Sequence, residues 1–219
     1  MPLQLYFGPG ACSFVPHTLL ESTGAAYEPV LVKLHKQENL GEAFKAINPR
    51  GQVPVLVDGG TTITQIVAIV SYLHDLFPGQ HFLPSEPLAK ARVLETLGWM
   101  NSTVHPTFGH MLLPHKFTDD AALHEPLRRF NTAQYRELLA ELQGIQQQAA
   151  ARGDAFMGGA HFGPLDAYTL TLLRWGTMFG IDPADTPALW AHVQKVAQLP
   201  AVARVLERER VPLSFYKPA

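Results

Sequence analysis

Leu3-Gln4-Leu5-Tyr6-Phe7-Gly8-Pro9-Gly10-Ala11-Cys12-Ser13-Phe14-Val15-Pro16-His17 changes character halfway along. Leu3–Phe7 is short, apolar and extended in pattern; after the breakers Gly8, Pro9 and Gly10, Cys12–Ser22 reads helical. Tyr27–Leu34 reads extended again, which makes the opening a β-α-β unit. Glu38–Ala46 is a short helical stretch. Val53–Val57 and Thr61–Thr64 then flank Asp58-Gly59-Gly60, a sequence suited to a tight hairpin, and Gln65–Leu76 is helical. The order β-α-β-α-β-β-α implies a sheet with helices on its faces.

That is the order of a thioredoxin-like α/β domain, expected over residues 1–78. Residues 79–87, with Gly79, Pro84 and Pro87, read as a linker. Residues 88–219 lose all strand-like alternation and predict an all-α domain of five or six helices. Leu88–Leu113, Leu123–Ala150, Asp166–Phe179 and Pro187–Arg210 supply them, with Leu127, Phe130, Leu138, Leu142 and Ile145 expected on one apolar face.

Bulk properties exclude several classes of function. Apolar residues make up 47% and charged residues 16%, which predicts a folded chain throughout. The net charge of −2 leaves no basic surplus for nucleic acid. The N-terminus has neither a basic leader nor a long apolar run, so a cytoplasmic protein without a membrane segment is expected. One cysteine permits no internal disulfide and no zinc site built on a cysteine pair. His105, His110 and His115 are spaced five apart and interrupted by Pro106 and Pro114, a poor arrangement for a metal, so none is expected. Cys12 is placed at a helix start, where free N–H groups and the helix dipole favour a thiolate.

Ala46-Ile47-Asn48-Pro49-Arg50-Gly51-Gln52-Val53-Pro54-Val55-Leu56, together with Cys12 and the two-domain plan, resembles the glutathione S-transferases. Gly8-Pro9-Gly10-Ala11-Cys12-Ser13, Pro16-His17, Val104-His105-Pro106 and Asp166-Ala167-Tyr168 narrow the resemblance to the bacterial beta class, over the whole chain. The resemblance implies a cis bond before Pro54, with Val53 offering its backbone to the cysteinyl unit of glutathione. It places the γ-glutamyl carboxylate at the helix starting near Gln65 and Ile66. Relatives commonly have an acid or Gln there, followed by Ser or Gly. Gln65 can accept a bond from the ligand's amino group but lacks the full charge of Glu, and Ile66 brings no hydroxyl and adds bulk, so glutathione binding weakened about tenfold to a hundredfold is expected.

By the same resemblance Cys12, Ser13 and His105 are the catalytic candidates. Tyr6, Lys36, Ser102 and Thr103 join Cys12, Val53, Gln65, Ile66 and His105 as glutathione-binding residues. On the residues alone, Ser13 reads equally as an N-cap and Tyr6 as a core side chain with its hydroxyl satisfied. Phe14, Phe108, Met111 and Leu112 are expected to line an acceptor pocket. Asp166 is expected to cap a buried helix behind Gly163, and Trp175 to belong to the core.

The implied activity is a transferase of the detoxification type, with glutathione as co-substrate. It adds glutathione to small apolar electrophiles or exchanges it with disulfides at Cys12. A non-enzymatic binding or regulatory protein with a weakened glutathione site is the alternative. A glutathione-dependent isomerase or ether lyase would use the same site. The family implies a homodimer.

Overall fold

The computed structural model describes residues 2–217. Four strands, β1 (Leu3–Phe7), β2 (Tyr27–Leu31), β3 (Val55–Asp58) and β4 (Thr61–Thr64), form one sheet in the order β2-β1-β3-β4. β1 runs parallel to β2 and antiparallel to β3, and β3 pairs antiparallel with β4. The β3–β4 hairpin closes at Asp58 and Thr61 around Gly59 and Gly60, both at positive φ, the backbone that a two-residue turn between twisted strands demands.

α1 (Phe14–Thr23) returns the chain from β1 to β2 and stops at Gly24, which is left-handed. The stretch from Glu38 to Ala46 is tighter than expected: 3-10 turns at Leu34–Lys36 and Glu38–Leu40 lead into one turn of helix, α2 (Glu42–Lys45). α3 (Ile66–Leu76) follows β4. Alternation along β1 separates its two faces. Leu3 and Leu5 enter the main core, whereas Tyr6 turns to the smaller cluster of Val32, Phe44 and Val55.

The rest of the described chain holds six further α-helices: α4 (Pro87–Trp99), α5 (His105–Leu112), α6 (His124–Ala151), α7 (Pro164–Thr177), α8 (Pro187–Ala197) and α9 (Pro200–Glu209). A π-helical turn, Met100–Val104, joins α4 to α5 without a break. α7 is buried along its whole length and touches α1, α4, α5, α6 and α8. α6 buries Asn131, Tyr135, Leu139 and Leu142; Phe130, expected on that face, is 64% exposed. Its neighbours one and two turns on are Gln134 and Glu137, so the helical period puts it on the polar side. The stretch read as a linker is anchored by Phe82 and Leu83, both buried in the main core. That core is continuous, from Leu5 and Leu56 of the sheet to Leu139 and Leu170 of the helices.

Asp166 caps α7 as expected. Its carboxylate accepts from Gly163 N and Met157 N, each at 2.9 Å, and meets Nε2 of buried His192 at 2.8 Å. Gly163 cannot supply the usual capping hydroxyl, and a Cβ there would come within 3.0 Å of the Phe82 carbonyl oxygen. α9 packs on α1, so the last helix closes over the first. Arg204 and Arg208 reach Glu21 at 2.6 and 2.7 Å, and the Tyr27 hydroxyl donates to Glu21 at 2.7 Å. Burial raises the Glu21 carboxyl, but these three partners outweigh it and hold the group at about 2.

Replacing Asp166 by Ala strands two buried N–H donors and a buried histidine, and should lower unfolding free energy by about 3 kcal/mol or more in urea titration. Unchanged stability would exclude the capping role. The Glu21 cluster stabilises the fold above the ordinary carboxylate pKa and loses that contribution as pH falls toward about 2. Wild type should therefore lose more stability than Glu21→Gln between pH 5 and about 2.5, read as melting temperature.

Candidate functional site

The loop from Gly8 to Ser13 is fixed from both sides. The Ser13 hydroxyl accepts from Gly8 N at 3.1 Å and donates to Gly8 O at 3.2 Å, entirely buried. Gly10, at φ +71°, donates its N–H to Glu209 at 2.7 Å; its carbonyl accepts from Arg174 Nη2 at 2.6 Å and Trp175 Nε1 at 2.8 Å. Glu209 also meets Nδ1 of buried His17 at 2.7 Å. Burial pulls the Arg174 guanidinium down to about 10, which leaves it charged at neutral pH beneath this loop. Sequence reading missed that Arg174 and Glu209 fix Gly10 and so position the Cys12 loop, because these bonds link residues more than 160 apart.

A second loop faces the first. The Val53–Pro54 bond is cis. Asn39 Nδ2 holds Gly51 O at 2.7 Å and Asn48 Nδ2 holds Gln52 O at 2.7 Å, fixing the approach to Val53. Gly51, at φ +63°, has no room for a side chain: a Cβ would stand 2.9 Å from Asn39 O. Between the loops lies a cleft of about 600 Å³, with Pro9, Gly10, Cys12, Val53, Gln65 and Asn101 in its wall. His105, Pro106, Phe108, Leu112, Leu113, Phe117, Trp175 and Met178 complete a largely apolar side.

Cys12 lies in this cleft, half-buried, with Sγ 3.5 Å from the Val53 carbonyl oxygen. Burial pushes its thiol up to about 12, and the lowering by the backbone N–H groups of Cys12 and Ser13 does not offset that. Burial thus disfavours the thiolate expected from the helix dipole. α1 starts only at Phe14, beyond the cysteine, and desolvation prevails over its end field. His105 Nδ1 is 2.7 Å from the Tyr168 hydroxyl and its ring leans on Trp175 at 4.8 Å. Burial lowers His105 to about 4, so at neutral pH it is a hydrogen-bonding imidazole without charge.

Gln65 sits at the start of α3 with φ +73°, a conformation that costs a non-glycine residue about 1–3 kcal/mol. It is exposed on the cleft, and the first N–H groups of α3 have no acceptor within the helix. Ile66 is 2% exposed and packs its side chain into the main core. It is at the same time part of the cleft lining, next to Gln65.

Other expected residues stand elsewhere. Ser13 is spent on Gly8 and does not reach the cleft wall, nor does it cap α1 with its side chain. Tyr6 packs edge-on against Phe44 on the other sheet face, because adjacent strand residues point to opposite sides. Lys36 is exposed on its 3-10 turn; Leu34 and Asn39 line the cleft there. Ser102 and Thr103 are exposed on the π turn, and the neighbouring Asn101 faces the cleft instead. Phe14 and Met111 are core side chains, whereas Phe108 and Leu112 do line the cleft. Trp175 is core and wall at once, stacked on Phe108 at 4.4 Å. Among the described residues no three His, Cys, Asp or Glu side chains gather closely enough to hold a metal ion, and no helix is long and apolar enough to cross a membrane.

Residues 1–75 match the family model of the glutathione S-transferase N-terminal domain. The chain is 31% identical over 211 residues to the glutathione S-transferase GstA of Escherichia coli O157:H7, covering 94% of this chain and 98% of that one. Two solved structures superpose on it. A sphingomonad glutathione S-transferase complexed with glutathione has a TM-score of 0.74 at 33% identity, covering 95% of this chain and all (100%) of that one. A bacterial beta-class glutathione S-transferase from Sphingomonas chungbukensis has a TM-score of 0.77 at 30% identity, covering 94% and 98%.

With the Cys12 thiol at about 12, its alkylation by iodoacetamide in the ligand-free protein should rise about tenfold per pH unit from pH 7 to 10 without levelling. A plateau near pH 8 to 9, measured by mass spectrometry, would show an ordinary thiol and exclude this degree of desolvation.

Proposed function

Because the chain belongs to the glutathione S-transferase family, we propose that it binds glutathione in the cleft beside Val53 and adds its sulfur to small, largely apolar electrophiles. One observation carries this reading: a single cleft joins groups suited to a peptide backbone and carboxylate, at Val53, Gln65 and the start of α3, to an apolar wall at Phe108, Leu112, Leu113 and Met178. The cysteinyl unit of glutathione pairs with the Val53 backbone, and its γ-glutamyl carboxylate takes the free N–H groups of α3. The strained Gln65 backbone fits a ligand clamp. A two-fold dimer belongs to the same reading, supported by family membership.

In this reading glutathione supplies the nucleophile. Its thiol proton passes to solvent, the sulfur attacks the electrophilic carbon, a C–S bond forms, and the leaving group departs with its bonding pair. Cys12, still protonated, donates a hydrogen bond to the developing thiolate, and His105 acts as an uncharged partner across the cleft. Disulfide exchange needs the Cys12 thiolate, which burial disfavours, and this supports conjugation over exchange.

Calorimetry with glutathione and spectrophotometric conjugation of 1-chloro-2,4-dinitrobenzene test the reading together. Glutathione should bind at millimolar concentration or below, and Gln65→Ala should weaken it about tenfold. Cys12→Ala should lower kcat about tenfold while conjugation persists. No heat at about 10 mM glutathione would overturn binding. Binding without turnover of any electrophile would favour the non-enzymatic alternative.

A further inference from the structure

Among the described residues no carboxylate lines the cleft, and of those in its lining only Cys12, His105 and Lys116 have side chains that can carry charge. Burial keeps the first two neutral at pH 7. Lys116 remains, a cation set into the wall shared by Phe108, Leu112, Leu113 and Phe117.

Its backbone is fixed. Lys116 N donates to Leu113 O at 2.9 Å, and Phe117 N and Thr118 N donate to Pro114 O at 2.9 and 3.2 Å. Pro114 is buried, and Arg128 Nε holds the Met111 carbonyl at 3.1 Å, tying the end of α5 to α6. The side chain has no ionic partner among the described residues, unlike Lys33, which pairs with Glu38 at 3.7 Å. The nearest acids in sequence, Asp119 and Asp120, are outside the lining, and Asp120 accepts from Ala122 N at 2.9 Å. On the other side Phe117 packs on the His110 ring at 3.9 Å, which makes the surroundings apolar rather than acidic.

An apolar wall with one uncompensated cation complements a ligand with an apolar body and one negative group. We propose that Lys116 is a specificity-determining residue that selects acceptors bearing an acidic substituent, such as an aromatic carboxylate. This rests on the glutathione reading of the cleft and deepens it, since the acceptor occupies the side of the wall formed by residues 106–117. The lysine is exposed, so the preference should be modest and sensitive to salt.

The test compares S-benzylglutathione with its 3- and 4-carboxybenzyl forms by calorimetry, alongside glutathione itself, on wild type, Lys116→Gln and Lys116→Arg. In wild type at least one carboxybenzyl form should bind about fivefold tighter than the benzyl form. The preference should vanish in Lys116→Gln, persist in Lys116→Arg, and shrink as salt rises from about 0.05 to 0.5 M. Equal binding of all three forms, or a preference that survives in Lys116→Gln, would overturn the proposal. So would a parallel loss of affinity for glutathione in Lys116→Gln, which would assign the lysine to the co-substrate's own carboxylate. A wild type that fails to bind glutathione brings down the reading beneath it; one that binds glutathione but ignores the carboxylate brings down only this inference.

Discussion

The peptide unit of Gly10 is the point at which the two halves of the molecule become one site. Its N–H and C=O are both held by side chains of the helical half, Glu209 on one side and Arg174 with Trp175 on the other. A side chain at this position would need a left-handed backbone and would press on Val211 at 3.3 Å. So the loop carrying Cys12 has no freedom to relax independently. Glu209 extends the constraint through His17 to α1, and Arg208 and Arg204 continue it to Glu21. The last helix thereby governs the position of the first loop.

The same closeness sets the electrostatics. Desolvation under these packed helices raises Cys12 and lowers His105, and the two shifts leave the cleft uncharged at its centre. Such a site supports a bound thiol by hydrogen bonding rather than by a resident charge. What charge remains lies at the edges: the open N–H groups of α3 at one and Lys116 at the other. A ligand with its own negative groups and an apolar middle matches that distribution.

The sheet half was largely legible in its sequence, because strand alternation and turn residues are local signals. Asp58-Gly59-Gly60 announced its hairpin and Val53-Pro54 its loop. Errors arose where one local pattern permits two environments. Phe130 fitted a broad apolar face but falls on the polar side of α6, and Tyr6 fitted a cleft yet sits on the far face of β1. Ser13 beside Cys12 suggested shared chemistry, but one hydroxyl cannot serve a ligand while closed on both backbone groups of Gly8.

By itself the sequence determined the order of elements, the family resemblance and the positions of Cys12, Val53, Gln65 and His105, since each depends on residues close together in the chain. Only the tertiary structure decided their state. Whether a thiol ionises or an imidazole is charged depends on what is packed around it, and the Gly10 loop beside the thiol is held by Glu209, 199 residues further on. Burial is a property of the assembled fold, and it reversed the sequence-based expectation for the charge of the thiol at Cys12.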